Sequence, residues 1–537
     1  MAANVLPSFS ATLTGFMGGD TSSNAVTGTA SFTANATAYN GQAGSGSVVG
    51  TYSITPALGT LTSSNYSFVT FTPGSLVVNK ANLTITAAND SKVYGASTTT
   101  AGVNYTAGGT AVNSALGYTT AGLVNGDTIT GMTLTSTGGA VPSNIGTYSI
   151  TPSALVGSTN VTNSNYTISY INAITGLTVN PKVVTLVASK GYDGTTTLGA
   201  NQVTISGLVG SQTLNYSNAT ANDANVATTG KYINAITLLD GTGTNAGLAS
   251  NYVLPSLTST SANNAVTIVP KVVGLSASKT YDATTALSGT QVVITTGIGS
   301  QTLTYTSATA NDANVATANK YISAITLGNA TDSSGGIASN YALPTLNNTN
   351  APVTISAKAL NLLATKVYDG TTTLTGSQIT MTGLIGTQTL NYTGATLSDA
   401  NVATTNKYIS AITLTDGTNG GIASNYLAPT LTSAYTYNNA AVTPKVVSLS
   451  ATKVYDATTT LSGSQVTINT GVSGETLTYS GATVNDINVA TTGKYINAIT
   501  LGNAVSGNGT ASNYMLPTLN STNAPVTITK AALTVTA

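Results

Sequence analysis

The 537 residues contain no histidine, no cysteine and no tryptophan, and charge is scarce: 15 basic and 15 acidic side chains give a net charge of zero. Every basic residue is a lysine, and Glu475 is the one glutamate. Each absence removes a class of function. Without His or Cys there is no Ser-His-Asp or Cys-His nucleophile system, no zinc site of the usual ligands and no disulfide frame. Without Arg there is no bidentate clamp for phosphate or carboxylate. Balanced, sparse charge leaves no basic footprint for nucleic acid and no pull toward anionic lipid. No apolar run approaches the ~20 residues of a membrane helix. The opening Met1-Ala-Ala-Asn lacks the charged and apolar regions of a signal peptide, so an export signal is expected outside these residues. The expectation is a non-enzyme with no cofactor, no metal, no nucleic-acid partner and no membrane insertion in this segment.

What is present points to strands. The apolar fraction is 41% and net charge is zero, the opposite of the low-hydrophobicity, high-charge balance of disordered chains. Apolar residues alternate, as in Val447-Ser448-Leu449-Ser450-Ala451 and Pro352-Val353-Thr354-Ile355-Ser356. That period of two reads as half-buried strands, separated by Gly- and Asn-rich turns such as Asp416-Gly417-Thr418-Asn419-Gly420-Gly421. No stretch of helical period stands out. The fold class is all-β.

A fixed set of markers then repeats. Lys-x-Tyr-Asp followed by a Thr-rich run places tyrosines at 192, 281, 368 and 455, spaced 89, 87 and 87 residues apart. Asn-Asp-Ala-Asn-Val-Ala-Thr or a variant places Asp223, Asp312, Asp399 and Asp486 at the same spacings, and Lys-Tyr-Ile and Asn-Tyr-x-x-Pro follow in order. Four markers in constant order mean tandem copies of one module, at residues 182–270, 271–357, 358–444 and 445–530. Residues 81–181 form a related module with Lys92-Val93-Tyr94-Gly95, Gly122-Leu123-Val124-Asn125-Gly126-Asp127, Gly146-Thr147-Tyr148-Ser149-Ile150-Thr151-Pro152 and Ser164-Asn165-Tyr166-Thr167-Ile168. Residues 1–80 match only its second part, through Thr14-Gly15-Phe16-Met17-Gly18-Gly19-Asp20, Gly50-Thr51-Tyr52 and Ser64-Asn65-Tyr66. Residues 531–537, Ala-Ala-Leu-Thr-Val-Thr-Ala, repeat the opening strand Ala81–Ala87 of that module.

These residues carry a resemblance. The Lys-x-Tyr-Asp-Gly/Ala-Thr-Thr copies resemble YDG modules, and the Lys-Val-Tyr-Gly … Gly-Thr-Tyr-Ser-Ile-Thr-Pro … Asn-Tyr-Thr-Ile copies resemble the MBG (YGX-type) family. The resemblance implies a tandem array from a large bacterial surface protein, filamentous-haemagglutinin-like and exported by two-partner secretion. Where Ala283 and Ala457 stand in place of the Gly, the sequence departs from the pattern, which suggests that the Gly is not a strict backbone requirement.

Each recurrent residue has a structural reading and a functional one. Tyr192, Tyr281, Tyr368 and Tyr455 are expected to bury their rings within their own modules, with Asp193, Asp282, Asp369 and Asp456 holding turn amides. Asp223, Asp312, Asp399 and Asp486 are expected to close Asx-turns. The functional alternatives are a sugar groove lined by Tyr and Asp, a calcium loop, and a Lys–Asn isopeptide bond from the lysine of Lys-Tyr-Ile.

The architecture expected is an array of small β-sandwich-like modules, with β-grasp and continuous solenoid as alternatives, joined without flexible linkers into an elongated rod or filament. Function is read as a non-catalytic, extracellular shaft of a surface adhesin or biofilm filament whose partner is itself. The alternative is a multivalent array binding glycans or host and matrix surfaces. Residues 531–537 are read as the first strand of a further MBG-like module in a longer array or, because Leu533, Val535 and Ala537 fall on one strand face, as a candidate donor strand for head-to-tail assembly.

Overall fold

The computed structural model describes residues 5–100, 102–103, 110–112, 117–157 and 160–536. Ala537, one of the three candidate donor-strand residues, lies outside that set. The described residues are nearly all β. The one α-helix among them is the single turn Ser22–Ala25, and short 3-10 turns such as Gly376–Gln378 and Ala423–Asn425 recur at matching places in the copies. The chain divides into two compact units, Met1–Pro270 and Lys271–Ala537.

Residues 358–444 illustrate the copy. Alternation in Asn361–Val367 buries Leu362, Ala364 and Lys366 and exposes the residues between them, as the two-residue period of a strand requires. This strand sits at the centre of a three-stranded mixed sheet. Ile379–Thr382 pairs antiparallel on one side, and Asn438–Thr443, the copy's last strand, pairs parallel on the other. A long antiparallel pair, Leu390–Leu397 with Ile409–Asp416, joined to each other through a bulged register, packs beside it. Lys358–Ala359 pairs parallel with Tyr426–Leu427 and ties the start of the copy to its end. The parallel pairings join residues far apart in sequence, so each copy closes on itself and needs no crossover helix.

Within unit 2 the core does not stop at the copy boundary. One apolar cluster runs from Leu362 and Tyr368 to Tyr514 and Ile528, through both the 358–444 and the 445–530 copies. In unit 1 the 81–181 module has a core of Leu83, Ile85, Ile129, Met132, Leu134, Ile150, Tyr166 and Leu177. Its opening strand Ala81–Ala87 lies between Tyr166–Ile171, parallel, and Tyr118–Ala121, antiparallel.

Candidate functional site

Within each unit the recurrent markers converge on the junctions between consecutive copies. Lys366 lies on the inward face of its strand, and its ammonium is bound to Asp369 at 2.8 Å and to the carbonyls of Thr371 and Thr373 at 3.0 and 2.7 Å. Asp369 in turn accepts from the Thr371 amide and hydroxyl, both at 2.9 Å. Lys190–Asp193, Lys279–Asp282 and Lys453–Asp456 repeat the pair at 2.7, 2.6 and 2.7 Å. A buried ammonium is costly unless it is paired and hydrogen-bonded, and here every copy supplies both.

The Asp carboxylates respond to the same arrangement. For Asp193, Asp282 and Asp369, partial burial pulls the pKa up. The lysine and the threonine amide and hydroxyl outweigh it and hold each group below the usual carboxylate range. Asp456 is lowered to about 2, chiefly by its bond to Lys453.

The residue after the Asp takes a left-handed backbone in all four copies, with φ of +79° at Gly194 and Gly370, +63° at Ala283 and +61° at Ala457. The sequence suggested a tolerant position. The backbone instead makes the same demand everywhere, and the two alanines meet it with the strain that a Cβ brings to this region. Where Gly370 occurs, a Cβ would also come within 2.8 Å of Val472 in the following copy.

The tyrosine of the marker leaves its own copy, contrary to the expectation that its ring fills its own core. Tyr368 lies edge-on to Tyr514 of the next copy, with ring centroids 5.3 Å apart. Its hydroxyl donates to Glu475 at 2.6 Å, and Tyr514 donates to the other carboxylate oxygen at 2.6 Å. One junction back, Tyr281 lies edge-on to Tyr426 at 5.5 Å, and Gln388 stands where Glu475 does, donating its amide to Tyr281 at 3.1 Å. In unit 1, Tyr94 pairs with Tyr252 at 5.3 Å and takes the amide of Gln212 at 2.8 Å. The physical reason is the strand's direction: Lys366 and Tyr368 share its inward face, and the strand ends where the next copy begins to cover it. Tyr455, in the copy at residues 445–530, is 37% exposed, whereas Tyr94, Tyr281 and Tyr368 are 2, 3 and 5% exposed. Tyr192 is equally buried, at 5%. Burial raises the Tyr368 pKa, and the Glu475 carboxylate raises it further, to about 12.

A second contact couples the same copies. Asp399 accepts from the Asn401 amide at 2.6 Å, closing an Asx-turn, and Asp223, Asp312 and Asp486 do the same for Asn225, Asn314 and Asn488 at 2.5, 2.6 and 2.6 Å. Lys407 reaches into this loop and donates to the carbonyls of Val402 and Thr404. The outer edge of the loop is then gripped by Asn513 of the following copy. Asn513 accepts from the Val402 amide at 2.8 Å and donates to the Asn401 side chain at 2.8 Å. Asn425 grips Val315 and Asn314 at 2.7 and 2.8 Å, and Asn251 grips Ile145 and Asn144, both at 2.9 Å. Asn165 accepts from Val49 at 3.2 Å across the first junction. Asn251, Asn425 and Asn513 are 1, 0 and 1% exposed, whereas Asn165 is half-buried.

The sequence reading singled out the tyrosines and aspartates; it had Asn251, Asn425 and Asn513 only as part of the Asn-Tyr-x-x-Pro marker and Glu475 only as the one glutamate, gave none of them a role, and missed Gln212 and Gln388. Their presence at one fixed place in each copy was the signal that could have found them. The lysines of Lys-Tyr-Ile are held by main-chain carbonyls of their own loops. Among the described residues, no group of three acidic side chains converges as a metal site would require. Leu533 and Val535 are 92 and 93% exposed and belong to no sheet.

Residues 83–175 match the family model of the MBG domain (YGX type), and residues 175–262 and 438–524 match that of the YDG domain. A search of curated proteins finds no match to the chain.

Proposed function

We propose that this chain, a tandem array of MBG (YGX-type) and YDG domains, is a non-catalytic structural segment of an extracellular bacterial surface protein, giving an adhesin or filament reach and cohesion. MBG and YDG domains are repeat domains of surface proteins and are not known as catalytic families. No described helix is long and apolar enough to cross a membrane.

The observation that carries the reading is the repeated junction. An edge-on tyrosine pair bridged by Gln or Glu, together with an asparagine clasp, recurs between consecutive copies. Residues that recur at the module period and bind the neighbouring module serve cohesion along the array. In repeat proteins stability is a sum of unit and nearest-neighbour terms, and this chain places its most regular side chains in the neighbour term. Buried rings and buried asparagines are little screened by salt, which suits a protein outside the cell.

Force spectroscopy on the full chain, with a glycan array alongside, tests this. Cohesive junctions predict that residues 358–444 and 445–530 give way as one event and that no glycan is retained. Independent release of each copy, together with retention of a defined glycan, would replace the structural reading with the multivalent adhesin.

A further inference from the structure

In all four copies at residues 182–530 the first long strand lies parallel to the last one. In residues 358–444, Asn361–Val367 pairs with Asn438–Thr443 over six residue pairs. Residues 182–270 do the same with Thr185–Gly191 and Asn264–Val269, again over six pairs. Residues 271–357 and 445–530 keep four pairs, between Gly274–Thr280 and Val353–Ser356 and between Ser448–Val454 and Val526–Thr529. The 81–181 module divides the arrangement over two ladders, Ala81–Ala87 with Tyr166–Ile171 and Asp90–Val93 with Ala173–Asn180.

Strand direction decides what a pull along the chain does to such a pair. Tension draws the start of the first strand and the end of the last strand apart. In a parallel pair these two points lie at opposite ends of the ladder, so the strands part only by sliding past each other. The evenly spaced bonds of a parallel ladder are then loaded together and fail together. In an antiparallel pair the pulled points would lie side by side, and the bonds would open one after another. Resistance to forced unfolding is governed by the rate of leaving the native state, and bonds that must fail together raise that barrier.

The ladder is also shielded and braced. Leu362, Ala364, Ala440 and Val442 turn its inner face into the core, where all four are buried. The outer edge of the first strand is held by Ile379–Thr382. The outer edge of the last strand is held by the Lys-Tyr-Ile segment, where the Lys407 carbonyl accepts from the Ala440 amide at 3.0 Å. Lys231, Lys320 and Lys494 accept from Val266, Val353 and Val526 at the same distance. Asn438 adds side-chain bonds to the Ile409 amide at 2.9 Å and to the Ile409 and Thr430 carbonyls, both at 3.0 Å. The Lys-Tyr-Ile marker thus acts twice: its ammonium fills the Asx loop, and its lysine carbonyl braces the strand that leaves the copy.

We propose that each copy is a mechanical clamp, whose parallel first and last strands bear tension along the chain in shear. The structural reading above supplies the tension, and the clamp goes beyond that reading because it lies inside a copy rather than at a junction. Single-molecule pulling on the full chain tests it by direction. The chain has no cysteine, so introduced pairs fix the points of attachment. Asn361→Cys with Thr443→Cys grips opposite ends of the ladder and loads it in shear. Asn361→Cys with Asn439→Cys grips one end and peels it open. All three positions are exposed, and the two pulls release nearly the same length of chain. At equal loading rate the shear pair is expected to need a several-fold higher force, with an unchanged melting profile showing both variants folded. Thr185→Cys combined with Val269→Cys for shear or Ala265→Cys for peeling repeats the comparison in residues 182–270, should a variant of the other copy fail to fold. Equal forces in the two directions, or a higher force for peeling, would overturn the clamp. The structural reading is judged separately, by glycan retention and by joint or separate release of neighbouring copies, so either can fail without the other.

Discussion

Replacing Tyr368 and Tyr455 by alanine in parallel separates what a signature tyrosine does for its own copy from what it does for the next. The two occupy equivalent places, but Tyr368 is 5% exposed and Tyr455 37%. The difference is about a third of the residue's surface, roughly 60–70 Å² of a ~200 Å² side chain, which corresponds to about 2 kcal/mol of hydrophobic burial. The edge-on pairing of Tyr368 with Tyr514 adds about 1 kcal/mol. Its hydrogen bond to the Glu475 carboxylate adds about 1.5–3 kcal/mol. Tyr368→Ala is therefore expected to cost about 4 kcal/mol more than Tyr455→Ala, since contributions that act on one contact are not fully additive. Because one apolar cluster spans both copies, the loss should fall on residues 358–444 and 445–530 together. Hydrogen exchange followed by mass spectrometry on the full chain reads this locally, which is necessary because a multi-domain chain does not melt as two states. Equal costs for the two variants, or a loss confined to residues 358–444, would refute the reasoning.

Other consequences follow from the same contacts. Glu475→Gln installs the residue found at Gln212 and Gln388, so stability at neutral pH should change by less than ~1 kcal/mol, while the Tyr368 pKa should drop from about 12 toward its ordinary value in an ultraviolet titration. Ala283→Gly and Ala457→Gly relieve a left-handed alanine at φ +63° and +61°, and each should stabilise its copy by about 1 kcal/mol in denaturant unfolding. Asp193, Asp282, Asp369 and Asp456 all have lowered pKa values. Their contribution to stability is therefore present above the unfolded carboxylate pKa and lost as pH falls through the folded value. An acid titration of the melting temperature should be flat down to about pH 4 and fall toward about pH 2, where Asp456 titrates.

Much of the architecture was legible because it rests on local rules. The alternation in Asn361–Val367 and its equivalents announced the strands, and the matching spacings of Tyr368 and Asp399 with their counterparts announced the copies. The Asx geometry of Asp399 follows from residue type, since a short carboxylate two residues before a free amide closes such a turn. The direction in which a buried ring points was not legible. A marker that recurs once per module has the same period whether it packs inward or onto the next module, so spacing alone cannot place Tyr368 against Tyr514. The asparagine clasp was hidden for the same reason, because Asn513 and Val402 lie 111 residues apart and no local pattern connects them. The left-handed turn at Ala283 was concealed by the alanine, which normally marks an ordinary backbone.

The central claim is that, within each unit, the repeated markers bind one copy to the next, and the exchange of one amide tests it most directly. The Val402 amide donates to Asn513 of the following copy at 2.8 Å, and the Val315 amide donates to Asn425 at 2.7 Å. In the full chain carrying Asn513→Ala, residue-resolved hydrogen exchange should show Val402 exchanging about tenfold faster or more, as the loss of ~1.4 kcal/mol or more of hydrogen bonding entails. Val315, whose asparagine is intact, should keep its wild-type rate. An unchanged rate at Val402 would mean that the loop is held by its own copy alone, and the account of the junctions would fail.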